Sequence, residues 1–445
     1  MNNEENLSPL ELVKSLKFCI FDLETTGGNH KTDKIIEIGL VKVENLEITK
    51  TKNFLIQPEM KIPDFIQKLT TITQSDVKLA PIIEDVIDEI LEFMDDSILV
   101  AHNTSFDVPF LNSVLRRLER PELTNKSICT NLMTKYLIPN LMNTNLNYMS
   151  RIFDISHNKA HRALDDALAT THLLLNYLNI FIDKGIQKVN HLYYPRGRFE
   201  LDRINFKRET PVDDIFKKIK KIKSSFVITL KGENGVILFA LPCQQKLGEM
   251  EELQKKLAEL PWELLTIRLT GPFIEALIHF SGLFNKLDSS LKYEVIKFLY
   301  DKHLPSYKPT QKDFDEEMAV QLESDNFGDF IICHHLVPEQ LIIYPVQALN
   351  PKSELVFRYP GHQKKLLQYL NSKSSRIDAN KLKKVHHHIA LKNFVNHYLL
   401  KEKEDNNLFI VPKKPSAKTS DDFFKKLDHF LEGNPNPFSF PRDYI

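Results

Sequence analysis

The chain has 445 residues, more than a single hydrophobic core usually organises, so two or three domains are expected. Its 59 Lys plus Arg residues balance 59 Asp plus Glu residues, which excludes a global positive field and leaves only local surfaces for nucleic-acid binding. Because the four cysteines form no CxxC pair, and neither a signal-peptide pattern nor an apolar run of about 18 residues occurs, we expect a cytoplasmic protein without a membrane segment.

The first part of the chain, residues 1–185, alternates strand-like and helix-like patterns, which is typical of an α/β domain. Two apolar runs that predict strands, 18–23 and 35–43, flank a Thr-Thr-Gly-Gly turn at 25–28. The other elements predicted in this domain are a helix at 82–94, a strand at 97–101 and helices at 106–118, 147–155 and 163–181.

Beyond this domain, residues 186–212 show little periodicity and predict a linker with some order. An α/β module is expected at 213–302, where Asn234-Gly235 between two apolar runs predicts a β-hairpin. A C-terminal α/β region of unknown role, 303–445, is expected to end in a weakly ordered, Pro-rich tail. The predicted strands are 225–230, 236–241, 264–269, 330–333, 341–346 and 355–359, and the predicted helices are 244–260, 272–287, 291–300 and 381–400.

Two acidic residues, Asp22 and Glu24, stand at the end of the first predicted strand. Alternate residues of a strand point to the same face, so their carboxylates should lie side by side. Two neighbouring anions are costly unless a cation lies between them. On its own, however, such a pair is more often a solvated strand end than a functional site.

Two later segments place further acidic residues at predicted helix starts. Asp107 follows the strand that ends in Ala101-His102, and Asp166 follows His161 at the start of the last helix of the domain. First-turn acids are favoured by the helix dipole, so each has an ordinary structural explanation, which we accept for Asp165.

Together and in order, these three segments resemble the motifs of the DEDDh exonuclease family. The family's D-x-E-T-T-G pattern occurs at 22–27, H-N-x-x-F-D at 102–107 and H-x-A-x-x-D at 161–166. The similarity extends to 69–73 and to Cys129-Thr130, and spans roughly residues 16–180. Three motifs in order are far more specific than any one of them.

The resemblance implies a ribonuclease-H-like fold, in which helices flank a central mixed sheet, and a 3′→5′ exonuclease activity. It implies that two Mg²⁺ or Mn²⁺ ions are held by four carboxylates, and that a histidine is the general base. The implied catalytic residues are Asp22, Glu24, Asp107, His161 and Asp166, of which His161 is the base and the other four are the metal ligands. The implied substrate-binding residues are Leu23, Thr25, Thr26, His102, Asn103 and Phe106.

The implied substrate is the single-stranded or frayed 3′ end of DNA, degraded to nucleoside monophosphates in proofreading or repair. RNA is an alternative substrate, because RNA exonucleases share the same five catalytic residues. A different class of function is an interaction protein, whose C-terminal region recruits it to a polymerase or repair complex and whose catalysis is secondary.

The middle module more weakly resembles a degenerate GIY-YIG nuclease. Where that family has its two tyrosine motifs, this chain has residues 226–228 and 238–240 without tyrosine, and Phe280 falls where a metal-binding glutamate is expected. An unrelated α/β domain is an equally good interpretation. The Lys-rich run at 217–223 could contact phosphates, but a solvated helix face explains it better.

Overall fold

The computed structural model describes residues 7–138, 141–157, 160–185, 188–193, 201–244, 247–307, 330–345, 354–374, 389–404, 408–411, 420–438 and 440. The chain divides into two compact units, Met1–Leu201 and Asp202–Tyr444. Among the described residues, none of the helices has both the length and the apolar character needed to cross a bilayer.

Unit 1 is built on a mixed five-stranded sheet with strand order β3-β2-β1-β4-β5. The strands are β1 (Lys17–Thr25), β2 (Ile35–Glu44), β3 (Glu47–Leu55), β4 (Ile98–Ala101) and β5 (Ser127–Cys129). The first three are antiparallel, whereas β1 with β4 and β4 with β5 are parallel. Helices flank this sheet, so the predicted fold class, a central mixed sheet of the ribonuclease-H-like type, is confirmed.

Apolar residues at helical spacing explain why the helices of unit 1 pack on this sheet. In α3, for example, Val86, Ile90 and Phe93 share one face and are buried against sheet residues such as Phe21 and Ile38. The helices are α1 (Pro9–Lys14), α2 (Asp64–Thr70), α3 (Ile83–Met94), α4 (Thr104–Arg117), α5 (Thr130–Leu137), α6 (Leu146–Phe153), α7 (Ala163–Asp183) and α8 (Asn190–Tyr193).

Strand β3 was not predicted. It follows β2 through a two-residue turn, Asn45-Leu46, in which both residues have positive φ angles (54° and 65°), as tight hairpins require. The strand lies at the edge of the sheet, and its first five residues are all exposed. Its sequence, EITKTKNFL, therefore lacks the buried apolar alternation that identifies a half-buried strand.

Unit 2 contains a first four-stranded antiparallel sheet with order β6-β9-β7-β8. Its strands are β6 (Arg203–Lys207), β7 (Phe226–Lys231), β8 (Ile237–Cys243) and β9 (Leu264–Leu269). The expected β7–β8 hairpin is present, with Asn234 and Gly235 at positive φ angles of 57° and 74°. The helices of this part are α9 (Val212–Ile219), α10 (Leu247–Glu259), α11 (Phe273–Phe284) and α12 (Ser289–His303).

A second antiparallel sheet of unit 2 has strand order β12-β11-β10-β13. Its strands are β10 (Phe330–His334), β11 (Gln340–Pro345), β12 (Leu355–Arg358) and β13 (Phe409–Val411), and the helices are α13 (Gln363–Ser374), α14 (Ile389–Glu404) and α15 (Ser420–Gly433). Its core is formed by residues such as Ile332, Phe357 and Leu427. Helix α15 was not predicted, because the Pro-rich segments on either side suggested a weakly ordered tail.

Some predicted segments fall partly outside the described residues. In the predicted linker, 186–187 and 194–200 are outside, whereas the described part contains α8 and β6. The first eight residues of the predicted helix 381–400 are outside as well, and α14 contains the rest. The division of unit 2 into a module at 213–302 and a region at 303–445 stays a prediction.

In α11, Phe280 is buried and packs edge-on against Phe284. Glu275 of the same helix is also buried; its carboxylate accepts a 2.7 Å hydrogen bond from the amide of Gly271 and lies 3.6 Å from the ring of His279. These contacts give Glu275 a structural role at the start of the helix. The resemblance to a degenerate GIY-YIG module stays a prediction.

Candidate active site

Strand β1 presents Asp22 and Glu24 on one face of the sheet, and both side chains are half-buried. In the pairing with β2, Asp22 lies opposite Gly39 and Glu24 lies opposite Glu37. Leu23, between them, is buried in the core on the other face. The period-two argument thus correctly placed the two carboxylates together.

The first turn of α7 lies directly against β2 at Gly39. A Cβ atom built at this position would come within 2.3 Å of the backbone of Ala163 and Leu164, so only glycine fits. Because cross-strand partners share a face, Gly39 is on the side that carries Asp22. The close approach therefore brings the start of α7 beside the carboxylates of β1.

Asp107 reaches the same place from α4. The strand before that helix, β4, is parallel to β1, so both strands end at the same edge of the sheet. Asp107 is buried, and its carboxylate accepts a backbone hydrogen bond from Leu23. That bond ties the first turn of α4 to the end of β1.

Asp166, in the first turn of α7, accepts hydrogen bonds from two histidines. The ring Nε2 of His157 lies 2.5 Å from one carboxylate oxygen, and the backbone amide of His161 lies 3.4 Å from the other. His161 has a positive φ of 65°, an uncommon conformation for a non-glycine residue. Side-chain ligand atoms of Glu24, His161 and Asp166 all lie within 4.8 Å of one another.

The pKa values of three carboxyl groups are raised in this cluster. Burial, followed by the charges of Asp107, Asp166, Glu24 and Glu37, raises the pKa of Asp22 well above its usual range. Burial and the neighbouring charges, Asp166 first, raise the pKa of Glu24 to about 8. Burial raises the pKa of Asp107 to about 7, although its backbone hydrogen bonds act the other way.

This cluster fits a divalent cation. Carboxylate oxygens and an imidazole nitrogen within 4.8 Å of one another are suitable ligands, and a cation would offset the repulsion that, after burial, raises the pKa values of Asp22 and Glu24. Glu24, His161 and Asp166 form the group whose ligand atoms meet, and Asp22 and Asp107 interact with them electrostatically.

The side chains of Thr25 and Thr26 are buried and stabilise the turn after β1. The hydroxyl of Thr25 donates to the carbonyl of Gly27 at 2.7 Å. The hydroxyl of Thr26 accepts from the amide of Lys34 at 3.0 Å and contacts the sulfur of Met60 at 3.7 Å. A role of this turn in binding substrate would therefore use its backbone, as the resemblance implies.

His102 was predicted to bind substrate, but its ring is already engaged within the protein. One ring nitrogen lies 3.0 Å from the hydroxyl of Thr130, and the other lies 2.8 Å from the carbonyl of Thr144. Burial lowers the pKa of His102, in spite of the bond to Thr144, so that the neutral form is favoured. The geometry gives this ring a structural role.

The other predicted substrate-binding residues lie at the start of α4. Asn103 immediately precedes the helix, and its side-chain oxygen accepts from the hydroxyl of Ser105 at 2.8 Å. Phe106 is partly buried and lies 5.6 Å from the ring of Phe110. Phe106 thus packs on the core.

Sequence reasoning missed three residues that the structure places around the carboxylates: Glu37, Arg162 and His157. Glu37 had a signal, since it is a charged residue within the apolar run Ile35-Ile36-Glu37-Ile38. Arg162 stands inside the third motif at a position that the motif leaves open. His157 had no signal that periodicity could detect.

A model of a known protein family matches a large part of unit 1. The family model described as "Exonuclease" matches residues 19–174, which include all three carboxylate segments. The chain is 34% identical over 184 residues to DNA polymerase III subunit epsilon of Aquifex aeolicus (strain VF5), a match that covers 41% of this chain and 89% of that protein. The chain belongs to the DEDDh exonuclease family. This family depends on divalent metal ions, and the cluster of Glu24, His161 and Asp166 is a candidate metal site.

With another relative, the chain shares only a small part of that protein's length. It is 38% identical over 176 residues to DNA polymerase III PolC-type of Caldanaerobacter subterraneus subsp. tengcongensis, which is 40% of this chain but only 12% of that protein. Among solved structures, it is similar to "Exonuclease X in complex with 5′ overhanging duplex DNA", with 28% identity, a TM-score of 0.31 and coverage of 36% of this chain and 91% of that chain.

Proposed function

We propose that unit 1 is a metal-dependent 3′→5′ exonuclease that removes nucleoside monophosphates from DNA 3′ ends in proofreading or repair. The observation that carries this proposal is the convergence of three separate segments of the sequence on one cluster of carboxylates beside His161. Family membership supports the reaction class, and relatives that are subunits or forms of DNA polymerase III support DNA as the substrate.

In the proposed site, Asp22, Glu24, Asp107 and Asp166 hold two Mg²⁺ or Mn²⁺ ions. When bound, these ions favour ionisation of the attacking water and neutralise charge on the phosphate that is attacked. Glu24 and Asp107 must give up their protons to bind the cations, and since their pKa values are raised to about 8 and about 7, this exchange occurs near neutral pH.

The proposed general base is His161. Its ring lies at the start of α7 with a ligand atom within 4.8 Å of both Glu24 and Asp166, so it can accept the proton of a water attacking the terminal phosphodiester. The backbone at Thr25 and Thr26 and the side chains of Leu23, His102, Asn103 and Phe106 remain the proposed contacts to the terminal nucleotide. The burial of Leu23 in the core, on the face away from the carboxylates, and the structural bonds of the His102 ring make these two the weakest of the assignments.

The proposed role of unit 2 is to attach the exonuclease to a polymerase or repair complex. All of unit 2 lies beyond residue 174, where the family match ends, and the carboxylate cluster is formed by residues of unit 1 alone. The names of the relatives associate this exonuclease type with DNA polymerase III. Pull-down of replication proteins by the full chain, compared with a chain that ends after residue 201, would test this role.

Digestion of 3′-labelled oligonucleotides tests the catalytic proposal. Full-length protein should shorten single-stranded DNA and mismatched duplexes from the 3′ end, and EDTA should stop it. Asp166→Asn should be inactive, whereas Asp165→Asn, which changes the adjacent acid of the same helical turn, should be active. A matched RNA strand degraded faster than DNA would make the protein an RNA exonuclease, and the absence of metal-dependent shortening of either strand would refute the proposal.

A further inference from the structure

Glu37 is a fully buried acid that is not one of the four proposed metal ligands. It lies in β2, directly opposite Glu24 of β1, and its side chain is 1% exposed. A buried charge is costly unless it is paired and hydrogen-bonded. The partners of Glu37 therefore show what the fold uses it for.

Each of the two carboxylate oxygens of Glu37 accepts two hydrogen bonds. One oxygen accepts from Arg162 Nε at 3.1 Å and from the amide of Ala163 at 2.9 Å. The other accepts from Arg162 Nη2 at 2.7 Å and from the side-chain amide of Asn53 at 2.8 Å. Burial raises the pKa of Glu37, but these bonds outweigh it and hold the pKa below its ordinary value. The group is an anion held by a two-pronged guanidinium.

Two of these bonds act on the start of α7. Ala163 is the first residue of the helix, and the side chain of Arg162, the residue before it, makes no capping bond. Glu37 thus supplies, from another strand, an acceptor for one of the amides that a helix leaves unpaired at its N-terminus. Arg162 also directly follows His161, whose backbone has the positive φ angle.

We infer that Glu37 and Arg162 form a positioning clamp, which fixes His161 and Asp166 of the α7 segment in register with the carboxylates of β1. The clamp rests on the proposed exonuclease function. Glu37 and Arg162 are positioning residues, since they act on Asp166 and His161 through the backbone of the first turn. The close contact at Gly39 sets how near that turn lies to β2, and the clamp sets its position along the strand.

The test is Glu37→Gln in the full-length chain, since glutamine keeps the size of the side chain but cannot accept both prongs of the guanidinium. The number of Mn²⁺ ions bound and their affinity are measured by calorimetry, and kcat and KM are measured on single-stranded DNA. We expect Mn²⁺ affinity and kcat to fall by about 10- to 100-fold, the usual effect of losing a group that orients metal ligands, with little change in KM.

Lys42→Met is the matched control, because Lys42 is a buried charge of the same strand, paired with Asp95 at 3.0 Å and with Ser97 at 2.8 Å. It should lower the melting temperature but leave Mn²⁺ affinity and kcat unchanged. Arg162→Lys keeps the charge without the two-pronged geometry, and provides a second test if Glu37→Gln does not fold. Arg162→Lys should also lower kcat, but by a smaller factor than Glu37→Gln.

A third test compares Glu37→Gln, Arg162→Gln and the double variant that combines them. If the two residues act as one clamp, the kcat of the double variant should be no lower than that of the more impaired single variant. If the fold-loss of kcat in the double variant equalled the product of the two single fold-losses, the residues would act independently and the inference would be overturned. Wild-type Mn²⁺ affinity and kcat in Glu37→Gln or Arg162→Lys would also overturn it. A wild-type chain that binds Mn²⁺ but hydrolyses nothing would refute the proposed function, and the clamp would then be decided by Mn²⁺ affinity alone.

Discussion

Glu24 and Glu37 lie directly opposite each other on β1 and β2, yet their pKa values are shifted in opposite directions. Burial and the charge of Asp166 raise the pKa of Glu24 to about 8, and the charge of Glu37 adds to this effect. Glu37 is buried as well, but the guanidinium of Arg162 and two further donors keep it ionised. The negative charge of Glu37 is thus balanced by a side chain of the protein, whereas Glu24 requires a proton or a cation.

Asp22→Asn should abolish exonuclease activity and, without metal, raise the melting temperature. The substitution removes a carboxyl group whose ionised form is disfavoured by burial and by four neighbouring acids, so the metal-free protein loses repulsion. Hydrolysis of a labelled single strand in saturating Mg²⁺ and thermal unfolding in EDTA would check both effects. Near-wild-type turnover in Asp22→Asn would exclude this carboxylate as a metal ligand.

The metal-free protein should lose stability as the pH rises from about 4.5 to about 8, the interval between the pKa of Glu24 in the unfolded chain and in the folded protein. The pKa of Glu24 is about 8 in the folded protein but 4.5 for an ordinary glutamate, so between these values the folded state keeps a proton that the unfolded chain has released, and this advantage is lost as the pH rises through 8. Thermal unfolding in EDTA should show a steeper decline in wild type than in Glu24→Gln. With Mn²⁺ present, the carboxylates are neutralised by the cation, and the difference in slope should disappear.

His161→Gln should separate the general base from the metal ligands. Glutamine can hydrogen-bond water but cannot take up its proton, so kcat should fall by about 10²- to 10⁴-fold. Asp166→Asn should weaken Mn²⁺ binding as well, because it removes a charged ligand. Single-turnover hydrolysis and calorimetry on both variants would distinguish the roles; a loss of Mn²⁺ affinity in His161→Gln as large as that in Asp166→Asn would make His161 a ligand instead.

Gly39→Ala should destabilise the protein and impair catalysis, because the new methyl group would overlap the backbone of Ala163 and Leu164. Overpacking of this kind costs about 1–3 kcal/mol, and relief by shifting α7 would displace Asp166 from the β1 carboxylates. Gly28→Ala is the control, since a methyl group there has no neighbour within 4 Å. The free energy of unfolding in urea and kcat should change only in Gly39→Ala. If both quantities were the same in Gly39→Ala as in Gly28→Ala, the close contact between α7 and β2 would not be needed for stability or catalysis.

Purified Asp22→Asn protein should not nick supercoiled plasmid. The module at 213–302 lacks both tyrosines of the GIY-YIG motifs, and Phe280 is buried where that family would need a metal ligand. Glu275→Gln in the same background is the matched comparison. Nicking by Asp22→Asn that disappears in the double variant would show that unit 2 contains a second nuclease site.

What the sequence could predict depended on the range over which its residues interact. Asp22 and Glu24 were predictable because a strand repeats every two residues, and the later carboxylates because they stand in motifs. The Glu37–Arg162 pair joins residues 125 positions apart, and no local periodicity reports such a partner. The hydrogen bonds of His102 with Thr130 and Thr144 could not be predicted for the same reason, because they join residues 28 and 42 positions apart.

The polar sequence that concealed β3 from prediction has a consequence of its own. A strand at the edge of a sheet exposes unpaired backbone groups that can join the sheet of another molecule, which begins aggregation. β3 presents Lys50 and Thr51 on this edge, and Lys52 forms an ion pair with Glu89 of α3. Lysine side chains at an edge must be desolvated before a second strand can dock, so the composition that made β3 hard to recognise also protects the exonuclease sheet from self-association.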